Sequence, residues 1–361
     1  MPDGSLPPRA ERGRGALSNP ANRFEAASAE AFDDGWGTWL EDLPPLRTEL
    51  IREASRKALT FNDSPDLGFD RSLNPYRGCE HGCVYCFARP SHAYLGFSPG
   101  LDFEAKLLFK PDMPAILEKE LARPGYVPRT VTLGANTDPY QPIERKLRLT
   151  RALLEVLERF GHPVSIVTKG AGVLADLDIL SRMAARNLVR VYMSVTTLDA
   201  RLARAMEPRA ATPTRRLHAM AALRGAGVPV AVLAAPMIPG LNDAELERIL
   251  DAAQRHGAGS AGYVLLRLPH ELRDLVTEWL HRHDPDRAAR VLALVRETRS
   301  GALYDARFGQ RQTGSGAWAG LLRQRFLLAC RKLGLPPRED HAPLTTQHFN
   351  ARAMDRQPAL L

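Results

Sequence analysis

The chain has 361 residues, 44% of them hydrophobic and 25% charged, a balance that sustains a buried core and excludes a disordered chain, a collagen-like repeat or a disulfide-stapled miniprotein. No run approaches the ~18 consecutive apolar residues of a membrane span, and the opening Met1-Pro2-Asp3-Gly4-Ser5 lacks the apolar stretch of a secretion signal, so a cytoplasmic protein without membrane attachment is expected. The net charge of +8 is uneven: residues 1–60 carry 8 basic and 10 acidic side chains, residues 61–305 carry 32 and 28, and residues 306–361 carry 9 and 3. The last segment is therefore the one to face a polyanion, although 42 of the 49 basic residues are Arg, a bias that composition alone can produce.

Residues 1–60 are rich in Gly, Pro, Ala and Ser and show no sustained helical period; they read as a largely disordered tail, with a short helix around Leu46–Leu59 and a Trp36-Gly37-Thr38-Trp39 patch. A strand is expected near Gly68–Leu73, followed from Thr130 by β-rich runs at Thr130–Leu133, Val164–Thr168, Leu188–Val195, Val228–Ala235 and Gly262–Leu268. Between them Leu149, Leu153, Val156, Leu157 and Phe160 share one helix face. Leu177, Leu180 and Met183 share another, and Leu246, Ile249, Leu250 and Ala253 a third, entered through an Asn242-Asp243 N-cap. Six strand–helix units are too few for a closed eight-stranded barrel, so the expectation is an α/β protein with a partial (β/α)6 TIM-like barrel over 61–305. A C-terminal basic helical extension at 306–361 follows. In parallel folds of this kind the chemistry collects in the loops beyond the C-terminal ends of the strands.

Three of the four cysteines fall within eight residues, Cys79-Glu80-His81-Gly82-Cys83-Val84-Tyr85-Cys86, a C-x3-C-x2-C spacing. In a reducing compartment, close thiols on a short loop read as a metal or catalytic site rather than a disulfide. Three thiolates leave one iron of a [4Fe–4S] cube open. Cys330 lies 244 residues after Cys86, on a helix face with Leu322, Phe326 and Leu333, and reads as a core thiol. A Cys3His zinc site that recruits His81 is the alternative.

With aromatic Tyr85 directly before the third cysteine and a partial barrel behind it, the motif resembles the radical SAM superfamily. Asn74-Pro75-Tyr76-Arg77-Gly78-Cys79, Gly134-Ala135-Asn136-Thr137-Asp138-Pro139-Tyr140 and Val167-Thr168-Lys169 are most similar to its spore photoproduct lyase-like group, which includes DNA repair photolyase-like proteins. The resemblance implies a [4Fe–4S] cluster on Cys79, Cys83 and Cys86 whose open iron chelates S-adenosylmethionine. It also implies reduced flavodoxin or ferredoxin as electron donor, and hydrogen abstraction from substrate by the 5′-deoxyadenosyl radical. It places Tyr85, Asn136, Thr137, Lys169 and Ser194 at the cosubstrate, Lys169 as the cation for its carboxylate, and the Pro236–Asn242 turn near adenine. Arg267 would reach the substrate, whereas Arg145, His92 and Tyr94 carry no assigned role.

Spore photoproduct lyases place a hydrogen-donating cysteine in the loop after the second strand, where this chain reads Gly134-Ala135-Asn136-Thr137-Asp138. A thymine-dimer repair cycle that needs this thiol is not expected. The leading function is a radical SAM enzyme acting on an unidentified substrate, with a nucleic acid or nucleotide in view; the alternative is a metal-bearing nucleic-acid-binding module whose cysteines are structural. Gly309–Gly316 lacks the Lys-Ser/Thr ending of a P-loop, and Arg323, Arg325, Arg331 and Lys332 on the helix beyond it are candidate polyanion contacts.

Overall fold

A computed structural model describes residues 13–25 and 46–353; the Trp36–Trp39 patch lies outside them. In chain order the strands are β1 (Glu49–Arg52), β2 (Thr60–Phe61), β3 (Arg71–Leu73), β4 (Tyr76–Arg77), β5 (Lys106–Phe109), β6 (Val131–Leu133), β7 (Val164–Thr168), β8 (Val189–Ser194), β9 (Val230–Met237) and β10 (Ala261–Leu265). The helices are α1 (Asp102–Ala105), α2 (Met113–Leu121), α3 (Glu144–Leu147), α4 (Leu149–Phe160), α5 (Leu177–Ala185), α6 (Ala200–Met206), α7 (Pro213–Gly225), α8 (Leu246–Arg255), α9 (Leu272–His283), α10 (Pro285–Glu297) and α11 (Gly316–Leu333).

Six parallel strands, ordered β3-β6-β7-β8-β9-β10, form a sheet that β2 extends antiparallel at one end. The register runs Leu73 to Leu133, Leu133 to Ile166, Ile166 to Val191 and Val191 to Val230. These positions are apolar and buried because helices cover one sheet face while the other closes the barrel interior. Burying each such side chain contributes about 1.5–3 kcal/mol. Leu153, Leu157 and Phe160 of α4 and Ile249, Leu250 and Ala253 of α8 are fully buried on the predicted faces. The barrel stays open between β10 and β2. The β10 edge is covered instead, with Ala261 N donating to Pro336 O at 3.0 Å and Leu265 N to Gln312 O at 2.9 Å. Both of these acceptors flank the C-terminal helix α11. It is held to the body by Arg325 Nε on Glu247 Oε1 at 2.7 Å and by Trp318 Nε1 on Asp243 Oδ2 at 2.9 Å.

Three expectations change. The helix expected around Leu46–Leu59 is replaced by strand β1, parallel to β5 in a second sheet that β4 completes; Leu50 pairs in register with Leu107 and the β-branched Ile51 with Leu108. Within the expected tail, residues 13–25 form a packed strap. Arg14–Leu17 are buried, Leu101 N donates to Ser18 O at 3.2 Å, Ser18 Oγ to Glu278 Oε2 at 2.7 Å, and Arg23 pairs with Glu271 at 3.0 Å. The strap therefore ties α9 to the segment around α1. Asn242 makes no side-chain cap. Its Oδ1 accepts from Ile238 N at 2.6 Å and its Nδ2 donates to Thr196 O at 2.7 Å, so it staples the β9 turn to the end of β8.

Candidate active site

The cysteine loop leaves the first barrel strand through β4, whose register with β5 delivers Gly78 and Cys79 to the barrel mouth. Cys79 N donates to Phe103 O at 2.9 Å, Val84 N to Met206 O at 3.0 Å and Cys86 N to Cys83 O at 3.2 Å. Gly78 and Gly82 turn the chain at φ 79° and 68°. A Cβ on Gly82 would lie 2.7 Å from Glu104 Oε2, so glycine is required there by both conformation and space. Behind the loop Arg89 and Glu104 pair while buried, and Arg89 Nε donates to Cys83 O at 2.8 Å.

All three thiols are free, and Cys86 packs against the apolar groups that contain Cys79 and Cys83. Burial pushes each thiol pKa up, and the neighbouring thiols and Asp138 push Cys79 further. Sulfur anions in this setting need a positive partner. Such a donor set fits an iron–sulfur cluster, in which each thiolate takes its own iron. Among the described residues no group of three or more His, Cys, Asp or Glu side chains, the three cysteines included, is placed to hold a single metal ion. His81 instead lies with Nδ1 3.3 Å from Asp138 Oδ2, in ion-pair rather than hydrogen-bond geometry. Cys330 is buried in a different apolar group, with Leu322, Phe326 and Ala329, where burial pushes its thiol to about 11.

Lys169, at the end of β7, is the side chain around which the other candidates gather. Burial pushes its pKa down, and Cys83 is the largest influence in the other direction. Its Nζ donates to Ser194 Oγ at 2.7 Å and sits 5.6 Å from the centroid of the Tyr85 ring. Ser194 Oγ in turn donates to Ala235 O at 3.0 Å. The Tyr85 hydroxyl donates to Glu207, which also accepts from Thr196 Oγ1 at 2.6 Å and pairs with Arg216. Arg216 Nη1 returns to Ser194 O at 3.0 Å. Tyr85, Lys169 and Ser194 therefore meet in one buried network that joins the cysteine loop to β7, β8 and β9.

The loop after β6 behaves differently. Asn136 is exposed and only its backbone amide is held, by Asn74 Oδ1 at 2.9 Å. Thr137 is buried and gives its hydroxyl to Gly78 O at 2.7 Å, so its donor is spent bracing the entry to Cys79. Gln141 completes that brace by accepting from Glu80 N at 2.8 Å. Asp138 accepts from Lys169 N at 2.7 Å and Thr168 Oγ1 at 2.7 Å. Burial pushes its pKa up, but His81 and these donors outweigh it and hold the carboxylate at about 2.

The Pro236–Asn242 turn spends the amides expected to meet adenine. Ile238 N goes to Asn242 Oδ1, Gly240 N to Asp243 Oδ1, and Leu241 N and Asn242 N to Ile238 O. Arg267 beyond β10 lies 5.1 Å from the centroid of Phe87, which directly follows Cys86 and is 46% exposed; Arg267 Nε is buried without a partner. His92 is a buried brace, its Nε2 2.9 Å from Lys106 O, while Arg145 is exposed and Tyr94 stacks on Phe24 at the surface. Residue spacing pointed to the cysteines, Lys169 and Ser194. Arg89, Glu104, Gln141, Glu207 and Arg216 carry no motif, and only their burial reveals them.

Residues 73–253 match the profile of the Radical SAM superfamily. An uncharacterized protein of Mycobacterium tuberculosis is 38% identical over 290 residues, covering 76% of this chain and 85% of the relative. A second, from Methanocaldococcus jannaschii, is 24% identical over 199 residues, 55% of this chain and 71% of that one. The chain belongs to the radical SAM superfamily. Its fold is that of spore photoproduct lyase: the lyase complexed with dinucleoside spore photoproduct superposes with TM-score 0.56, at 17% identity over 79% of each chain. A variant of the lyase with bound AdoMet and the same dinucleoside superposes with TM-score 0.57, also at 17% identity over 79% of each chain. Among the described residues no helix is long and apolar enough to cross a membrane.

Proposed function

We propose that Cys79, Cys83 and Cys86 hold a [4Fe–4S] cluster with one iron left open for S-adenosylmethionine, and that the enzyme abstracts hydrogen from a nucleic acid or nucleotide in the cytoplasm. The observation that carries this reading is the meeting of three free thiols, Cys79 and Cys83 buried and Cys86 half-buried, with Lys169 at the mouth of the parallel strands. When bound, the cluster and S-adenosylmethionine supply one-electron reductive cleavage of the sulfonium and a hydrogen-abstracting 5′-deoxyadenosyl radical, with reduced flavodoxin or ferredoxin as electron source.

The chain's own residues bind, orient and exclude water. Lys169 presents its ammonium to the cosubstrate carboxylate, and Ser194 and the Tyr85 ring fix where that ammonium points. Asp138 stays ionised and sets the Lys169 backbone. Glu207 and Arg216 lock Tyr85 and hence the third cysteine. Thr137 and Gln141 brace the first cysteine. At the rim, Arg267 lies over the Phe87 ring as a cation–π pair, which suits an anionic substrate with a planar ring. We assign residues 61–305 to the radical SAM core, with 1–60 and 306–361 as flanking segments.

Anaerobic reconstitution tests the reading. The expected result is about four irons per chain and, with dithionite and S-adenosylmethionine, release of 5′-deoxyadenosine and methionine. Tight zinc without iron uptake would overturn it in favour of a structural metal site.

A further inference from the structure

The glycine-rich run Gly309–Gly316 takes no part in the chemistry above. It folds along the last barrel strand, with Gly314 N donating to Gln310 O at 2.7 Å and Ser315 N to Thr298 O at 3.0 Å, and so sets the first turn of α11 against β10. A cavity of about 160 Å3 opens there, its lining including Tyr263, Thr313, Ser315, Gly316, Gly320 and Arg323.

Two kinds of donor at this lining lack acceptors. Tyr263 is 8% exposed, and its buried hydroxyl has no hydrogen-bond partner among the described residues. The ring cannot easily turn to find one, because it packs on Phe326 with centroids 4.9 Å apart. Burial raises the phenol pKa, outweighing the Arg323 charge that lowers it, with Glu339 also raising it, so the hydroxyl keeps its proton to donate. Helix α11 is 18 residues long and its N-cap Ser315 provides no side-chain cap. Of its first amides, Trp318 N is taken by Glu297 Oε1 at 3.3 Å, leaving those of Gly316 and Ala317 without a partner among the described residues. Of the nearby acids, Glu297 stands at the same helix end on the Trp318 amide, and Glu339 pairs with Arg338 Nε at 3.2 Å.

A buried phenol, open helix amides and a guanidinium all select an acceptor-only group with several oxygens. We propose that this cavity binds a phosphoryl group, with the Tyr263 hydroxyl, Arg323 and the Gly316 amide of α11 as its donors. The site stands apart from the cysteine loop and does not depend on the radical chemistry. Without the Lys-Ser/Thr ending of a P-loop it is a site for one phosphoryl group, not for a magnesium-bound polyphosphate. The phosphoryl group belongs to either a mononucleotide or a nucleic-acid backbone.

Inorganic phosphate titrated into the full-length protein in phosphate- and sulfate-free buffer, followed by calorimetry and 31P line broadening, tests the site. Saturable binding at one site is expected, weakened about tenfold or more by Tyr263→Phe and by Arg323→Gln. Gly320→Asp gives a second, packing-neutral test, since a Cβ there meets nothing within 4 Å. It should abolish binding by placing a carboxylate at the cavity while leaving the melting temperature in place. Binding that never saturates, or that survives all three substitutions at full strength, overturns the proposal. Displacement of phosphate by AMP but not by a single-stranded oligonucleotide without terminal phosphates identifies a mononucleotide source; displacement by the oligonucleotide identifies the backbone.

Discussion

Arg89 and Glu104 form a fully buried ion pair directly behind the cysteine loop. Arg89 also donates to Cys83 O, Pro99 O and Gly100 O, while the Glu104 carboxylate accepts from Gly15 N at 2.9 Å and Ala16 N at 2.8 Å. One pair thus binds the middle cysteine, the α1 segment and the N-terminal strap. Breaking a buried pair by removing one partner costs about 3–5 kcal/mol, because the other charge is left without compensation. Glu104→Gln is expected to lower stability by that order in urea unfolding and to reduce iron per chain after reconstitution. Unchanged stability and iron content would show that the loop is held by other contacts.

Lys169 makes a separable prediction. Lys169→Met keeps the length of the side chain and removes its charge from beside Cys83 and Tyr85. The cluster should still assemble, and S-adenosylmethionine affinity by equilibrium dialysis should fall about 10- to 100-fold, the loss of one charge-assisted contact. Equal affinity in the variant would remove Lys169 from the cosubstrate site.

Away from the cysteines, Glu144 gives stability a pH dependence. Burial pushes its pKa up to about 7, although the Tyr76 hydroxyl and Thr150 N donate to it. A carboxyl raised in the folded state contributes stability that is fully present below its unfolded value near 4.5 and is lost as pH rises through about 7. Across that window the loss is about 1.4 kcal/mol per pH unit. Urea midpoints should therefore fall between pH 5 and pH 7 by more in the parent than in Glu144→Gln; parallel profiles would contradict the assignment.

Much of the barrel was legible in the sequence because each strand is a short β-rich run and each helix repeats its apolar side chains on one face. Val164–Thr168 emerges with the expected bounds, and the face residues Leu149 to Phe160 fall on one helix. The strap and β1 were not legible, because their order comes from distant partners. Gly15 and Ala16 are fixed by Glu104, and Glu49–Arg52 by β5. At the site the cysteine spacing announced itself. The bond from Thr137 to the Gly78 carbonyl was not legible, because a hydroxyl in a strand-end loop looks the same in sequence whichever partner it meets.

Cys330 separates a three-thiol site from a four-thiol one. It is a buried core side chain beside Leu322 and Phe326. Cys330→Ala should cost about 1–2 kcal/mol of stability as a small cavity and leave iron content and cluster spectra unchanged. Loss of the cluster in this variant would make Cys330 a ligand and close the site.

The most direct test of the open iron is the electron paramagnetic resonance spectrum of the dithionite-reduced, reconstituted protein, recorded before and after S-adenosylmethionine is added. Coordination at a vacant iron is expected to shift the spectrum of the full-length protein, and Cys83→Ser should abolish both the cluster signal and the shift. A complete cluster whose spectrum does not respond to saturating S-adenosylmethionine would contradict the account.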